Sequence, residues 1–462
     1  MSELFQESLS TIAKLIRARK VSPVEFAEVC IDRIDQLNPT LNAVVTLSPD
    51  FLDRARLAEA ALMRGNYRGI LFGVPLTIKD TIETSGLRST SGSVVRGDFV
   101  PERDAPAVAQ LKAAGAIILG KTNAAEMAMD YTADNPVFGR TNNPHDLARC
   151  PGGSSGGEAV AISTGMSPGG LGSDLAGSIR IPAHFCGIAG LKPTTSRVSG
   201  RGQFPPSIGP YSLGAVVGPM ARRIEDLKLI FRALVAPGPE ESPASLKGTR
   251  VSWYVDDQIV PVSEETQVVV AAAAQALADA GLLTENRRPP NVEQGHDLWL
   301  KLFSRASVVQ LRKVYSGFEK EAGSFVSWRL ATADHTAPLS LDEFISNWML
   351  RDRLREQLLD WMEESPLILA PVGATPAYLH DTLKLNVAGR TVSAFRAFSY
   401  SQTFNVFDLP VVVVPAGHSS DGLPIGVQLI GRPFAEETVL AAAALVEEAL
   451  GGWQMPKLVP TG

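Results

Sequence analysis

Two serine-bearing stretches lie close together in the chain. The first is Gly152-Gly153-Ser154-Ser155-Gly156-Gly157, and the second is Gly172-Ser173-Asp174-Leu175-Ala176-Gly177-Ser178-Ile179-Arg180. Hydroxyls set among glycines are candidates for nucleophilic attack, or the surrounding backbone amides for anion binding. The competing reading is a flexible Gly/Ser linker, but sequence typical of a protein core continues on both sides of the run. Upstream, the apolar segment 75–78 ends on Lys79. A lysine there is either an edge charge reaching for solvent or a desolvated base. A neutral lysine can activate a serine in place of histidine. Its ordinary pKa of about 10.4 must first be lowered by burial. Chain spacing alone does not set Lys79 beside any serine.

Other chemistries fit less well. A Ser-His-Asp arrangement needs one of the six histidines. Gly152-Gly153-Ser154-Ser155-Gly156 matches the G-x-S-x-G pattern, yet it follows an irregular proline-bearing loop where that motif requires a strand. Residues 115–122 match G-x-x-x-x-G-K-[ST] letter by letter, but the intervening residues are an apolar strand and not a phosphate loop. Metal-ligating spacings such as H-E-x-x-H are absent, so no metal and no cofactor is expected.

Helix and strand signals alternate around these stretches. Ser22-Pro23-Val24-Glu25 reads as a helix start, with Phe26, Val29, Cys30 and Ile34 on one face and Asn38-Pro39 as its end. Strands are expected near 42–47, 75–78, 116–119, 250–254, 367–372, 409–415 and 426–431, and helices near 51–64, 105–114, 159–164, 264–280 and 439–450. The alternation predicts an α/β fold with mainly parallel strands. The irregular segment 123–149 is long for a core loop, which points to function. Three prolines in 236–243 suggest a surface connection. Residues 291–363 read as mainly helical, and their scattered aromatics as core with some lining a pocket.

The formal net charge of −6 argues against a nucleic-acid partner. The three cysteines, Cys30, Cys150 and Cys186, form no CxxC pair, so reduced thiols and a cytoplasmic location are expected. No apolar run reaches the roughly 18 residues of a membrane helix, and the N-terminus lacks the pattern of a signal peptide.

The two serine stretches together with the strand ending at Lys79 resemble the amidase signature family. Further blocks at 71–79, 115–123, 135–139, 185–193 and 424–434 extend the resemblance over most of the chain. It implies one domain over 1–462: an N-terminal helical segment (1–66), a core with the catalytic motifs (67–235), a mostly helical substrate-side region (236–400) and closing strands and helix (401–462). The implied fold is a mixed, mostly parallel twisted β-sheet with helices on both faces. By the same resemblance Ser178 matches the nucleophile, and Ser154 a bridging serine preceded by a cis peptide bond, here Gly153–Ser154. Lys79 matches the base. The backbone amides of Leu175, Ala176, Gly177 and Ser178 match the oxyanion donors. Leu175-Ala176 departs from the Gly, Thr or Asn common there, which bears on pocket shape and not on backbone donation. Ser155, Asp174 and Arg180 match supporting positions, and Ala128, Met129, Asp130 and Tyr131 match a stretch lining the acyl pocket.

The implied activity is hydrolysis of carboxylic amides through an acyl-enzyme, with a small-molecule amide as partner and a homodimer compatible with the sequence. One relative within the family, the A subunit of tRNA-dependent amidotransferases, hydrolyses glutamine inside a complex and holds it with an Arg and an Asp. Arg355 falls near the Arg position, whereas Phe398 or Ser399 falls at the Asp position, where no carboxylate stands. Phe395, Phe398, Tyr400, Phe404 and Phe407 point instead to an apolar or aryl substrate, with part of that set expected in the core. A non-catalytic binding protein on the same fold would require loss of Lys79, Ser154 or Ser178, and all three are present.

Overall fold

The computed structural model describes residues 3–235, 245–333 and 339–457. The proline-bearing connection 236–243 lies outside the described residues. In chain order the strands are β1 (Val44–Leu47), β2 (Pro75–Lys79), β3 (Ile117–Thr122), β4 (Gly169–Asp174), β5 (Ala189–Lys192), β6 (Val216–Ala221), β7 (Arg250–Trp253) and β8 (Leu283–Asn286). They continue with β9 (Leu367–Pro371), β10 (Lys384–Val387), β11 (Arg390–Ser393), β12 (Val411–His418) and β13 (Pro424–Gly431). Eleven of them form one sheet in the order β1-β3-β2-β4-β6-β5-β12-β13-β9-β7-β8, and β10 and β11 pair as a separate hairpin.

The sheet is mixed. Parallel pairing, expected from the alternation of helix and strand, occurs in two blocks, β3-β2-β4 and β9-β7-β8. The strands between those blocks, β4-β6-β5-β12-β13-β9, pair antiparallel, as does β1 with β3 at the edge. Every residue of β2, β3, β4, β5, β6, β9 and β13 is buried. Successive side chains of a strand point to opposite faces, so burial without alternation means that both faces are covered.

Local signals set several of the helices that do the covering. Ser22 caps Pro23–Leu41 in a capping box with Glu25, and Ser340 caps Leu341–Glu364 in the same way with Glu343. The first of these helices does not end at Asn38-Pro39. It runs through Pro39 to Leu41 and stops at Asn42 in the left-handed region. The Asn38 side chain makes this end workable: its Oδ1 accepts from the Ala43 and Val44 amides and its Nδ2 donates to Val44 O. Proline costs a helix one amide hydrogen bond, and here the Asn38 side chain ties the last turn to the residues just beyond the helix end. No helix among the described residues is long and apolar enough to cross a membrane.

The pairing of β2 with β4 positions the two serine stretches relative to the lysine. Ile78 lies opposite Leu171 in a parallel register. The next residues along both strands are therefore neighbours, which sets Lys79 at the end of β2 against Gly172 and Ser173 near the end of β4. The helix Gly156–Ser163, buried along its whole length, starts directly after Ser155.

Candidate active site

Lys79 is fully buried. Its Nζ lies 2.7 Å from Ser154 Oγ and 3.0 Å from Ser173 Oγ. Burial pushes the lysine pKa down to about 7, against the opposing pull of the Asp174 and Glu158 charges. Glu158 is itself buried, and desolvation raises its carboxyl to about 7 although Thr122 and Thr77 both donate to it. A lysine in this setting exists substantially as the neutral amine near neutral pH.

The Gly153–Ser154 peptide bond is cis. Gly153 has no room for a side chain, since a Cβ there would lie 1.9 Å from Thr132 O. Ser154 is fully buried and Ser178 is slightly open, at 6 % exposure. Both line a cavity of about 1000 Å³, and Lys79 stands behind its wall. Ser155 ties the two serine stretches together: its amide donates to Ser178 O at 3.2 Å and its Oγ contacts Ser173 O at 3.3 Å.

Asp174 and Arg180 form a fully buried, two-pronged ion pair, with both N–O distances 3.0 Å. Burial alone would raise the Asp174 pKa, but the Arg180 charge and hydrogen bonds overcome it and hold the carboxyl well below the usual carboxylate range. Asp174 also accepts from Asn405 Nδ2 and from the amides of Gly177 and Ile179. The Gly177 amide, expected among the oxyanion donors, is therefore already committed to Asp174 Oδ1 at 2.8 Å. The amides of Leu175, Ala176 and Ser178 make no hydrogen bond among the described residues. Gly177 itself has φ +111°, and a Cβ on it would press on Ile181 and Ser401.

The cavity takes its walls from 126–136, 173–178, 203–207, 296–310, 323–329 and 378–396. Ala128, Met129, Asp130 and Tyr131 all line it. The aromatic set differs from the expected one. Phe395 lines the cavity, but Phe398, Tyr400, Phe404 and Phe407 are fully buried in the core and do not. Tyr400 and Phe404 lie in the helix Ser399–Val406, which is buried on every side, and Phe398 and Phe407 are the buried residues that flank it. The aromatic wall comes instead from Tyr131, Trp299, Phe303, Phe325 and Trp328 together with Phe395. Arg355 lies away from the cavity and donates its Nε to Phe407 O at 2.8 Å. Ser399 Oγ donates to the buried Asp257 carboxylate.

Sequence reasoning did not single out Ser173 or Trp299 for the site. Ser173 sits inside the second serine stretch, but it is the parallel pairing of β2 with β4, a feature of the fold and not of local sequence, that brings it to Lys79. Nothing in the sequence near Trp299 announces its bond from Nε1 to Leu175 O, 2.8 Å long.

The chain is similar to known proteins along nearly its whole length. The model of the amidase family matches residues 25–440. Human fatty-acid amide hydrolase 2 is 30% identical over 96% of this chain and 89% of its own. The A subunit of the glutamyl-tRNA(Gln) amidotransferase of Carboxydothermus hydrogenoformans is 30% identical over 96% of this chain and 98% of its own. The solved structure of a bacterial aryl acylamidase of the amidase signature enzymes superposes with a TM-score of 0.85 at 26% identity, covering 96% of each chain. The chain belongs to the amidase signature family, and it is an amide-hydrolysing enzyme.

Proposed function

We propose that the enzyme hydrolyses amides of apolar or aryl character by itself, with Ser178 as nucleophile, Ser154 as proton relay and Lys79 as base. Neutral Lys79 takes the proton of Ser154 as Ser154 takes that of Ser178, and Ser178 Oγ attacks the amide carbonyl. The negative oxygen of the tetrahedral intermediate is met by backbone amides, and preorganised donors of this kind are worth about 3 kcal/mol each. The proton returns along the relay to the leaving nitrogen, the C–N bond breaks and an acyl-enzyme remains. Water repeats the sequence on the ester and releases the carboxylate. With Gly177 N–H committed to Asp174, the donors narrow to the amides of Leu175, Ala176 and Ser178.

The observation that carries this reading is the buried contact of 2.7 Å between Lys79 and Ser154, which needs an uncharged lysine to pass protons in both directions. The substrate class is supported by the aromatic lining of the cavity. A second reading, a glutamine-hydrolysing component that works only within a complex, is favoured by the 30% identity to the amidotransferase from Carboxydothermus hydrogenoformans. Against it stand the position of Arg355 away from the cavity and its engagement with Phe407 O.

The deciding experiment is a hydrolysis screen of the purified protein alone with aliphatic, aryl and amino-acid amides, glutamine included. Turnover of aryl or apolar amides without a partner supports the first reading. Ammonia release from glutamine that appears only with partner proteins supports the second. Ser178→Ala should remove turnover, by a factor of about 10⁴ or more. Full activity of Lys79→Ala near neutral pH would sink the relay.

A further inference from the structure

The backbone between Asp174 and Ser178 is held peptide by peptide. In a trans peptide the N–H points opposite to the C=O of the same unit, so whatever fixes a carbonyl also aims the amide across from it. Leu175 O accepts from Trp299 Nε1 at 2.8 Å, which aims the Ala176 N–H. Ala176 O accepts from Tyr131 Oη at 2.8 Å, and the N–H of the same peptide, on Gly177, donates to Asp174 Oδ1 at 2.8 Å. That unit is clamped at both ends. Gly177 O accepts from the Ile181 amide at 2.7 Å, which aims the Ser178 N–H.

The donor directions follow from the groups present. An indole N–H can only donate. Tyr131 Oη receives a hydrogen from Gln402 Nε2 at 2.7 Å, so its own hydrogen is left for Ala176 O. Gln402 is oriented in turn by His296, whose Nδ1 lies 2.5 Å from Gln402 Oε1. The rings of Tyr131 and Trp299 both pack on Phe395, with centroids 4.8 and 5.1 Å apart. Ala176 and Ser178, two of the three residues whose amides are left free, line the cavity, as do both aromatic clamps.

We propose that Tyr131 and Trp299 are positioning residues: Trp299 orients the Ala176 amide toward the oxyanion, Tyr131 holds the Ala176–Gly177 peptide that joins that amide to the Ser178 amide, and the aromatic wall of the cavity is thereby also the support of the catalytic backbone. The proposal rests on the reading of Ser178 as nucleophile. Neither side chain handles a proton of the reaction, so their loss lowers the rate without changing how the rate depends on pH.

The test uses an alkyl fluorophosphonate, which requires no knowledge of the natural substrate. Ser178 Oγ bonds to phosphorus, the P–F bond breaks, fluoride leaves and the serine proton passes to the relay, while the phosphoryl oxygen gathers charge where an oxyanion would. The phosphonylation rate is followed against pH for the wild type, Tyr131→Phe, Trp299→Phe and the double variant, with near-ultraviolet circular dichroism as a check on packing. The expected result is a plateau about tenfold lower for each single variant and a larger loss for the pair, with the pH midpoint unmoved. Tyr131→Phe removes a single oxygen atom and decides the matter if Trp299→Phe does not fold. Unchanged rates, or a plateau loss accompanied by a displaced midpoint, overturn the proposal. Labelling of the wild type at a residue other than Ser178, read by mass spectrometry, would overturn the nucleophile assignment and this proposal with it. Labelling at Ser178 with equal rates in all variants would overturn the positioning role alone.

Discussion

Lys79 Nζ and Ser154 Oγ lie 2.7 Å apart, both at zero exposure, although 75 positions separate them in the chain. Lys79 is the last residue of β2, whereas Ser154 stands just before the helix Gly156–Ser163. Two rigid elements therefore fix the pair, and the amine has no route to solvent that would let it keep its charge. The carboxylates of Asp174 and Glu158 work in the other direction and keep its pKa from falling further than about 7. The balance leaves a base that titrates in the range where the enzyme would work.

A pH dependence follows directly. The competent form of Lys79 is the neutral one, so kcat/KM should rise with pH and level off above a midpoint near the lysine pKa of about 7. Two pH units below the midpoint the rate should be roughly 100-fold under the plateau. A pH–rate profile on any substrate found in the screen measures this. A profile flat between pH 5 and 8 would mean that Lys79 is not the base.

How much of this was legible beforehand depends on the range of the interaction. The cap at Ser22 is a matter of neighbouring residues and could be read from them. The lysine at the end of an apolar strand hinted at desolvation, but its partner was reached only through family resemblance, because a contact across 75 positions leaves no mark in local pattern. Composition misled at Phe398, Tyr400, Phe404 and Phe407, where an aromatic-rich stretch reads equally as a pocket or as a core. Burial of the whole helix Ser399–Val406 and of the two residues that flank it decided for the core. Pro39 shows the converse limit, since a helix-ending signal was overridden by the Asn38 side chain bonding to residues just beyond the end.

Ser173 should tune the base. Its Oγ accepts from Lys79 at 3.0 Å, and an acceptor favours the charged amine. Ser173→Ala removes that support, so the lysine pKa falls further and the rising limb of the pH profile moves to lower pH. A hydrogen bond worth about 1 kcal/mol corresponds to somewhat under one pH unit. The plateau should also drop, by about threefold to tenfold, because Lys79 keeps only Ser154 to orient it. A limb displaced to higher pH in this variant would contradict the sign of the argument.

Arg180→Met should cost stability more than chemistry at a distance would suggest. It leaves the Asp174 carboxylate without its cation at a fully buried position, and breaking such a pair costs about 3–5 kcal/mol. The pH dependence separates this cause from simple loss of packing. In the wild type the Asp174 pKa is depressed below its unfolded value. Its stabilising contribution is therefore present above the unfolded pKa of about 3.9 and is lost as pH falls through the folded value. Without Arg180, burial dominates and raises that pKa, so the unfolded state releases its proton first and the variant loses stability as pH rises past about 4. Urea unfolding at pH 8 and pH 5 should show a deficit against wild type that narrows toward the acid side. Asp174→Asn combined with Arg180→Met should recover part of it, since neither half of the pair is then left buried as a charge without the other. A deficit of equal size at both pH values, unrelieved in the double variant, would assign the loss to packing around the arginine side chain and not to the stranded carboxylate.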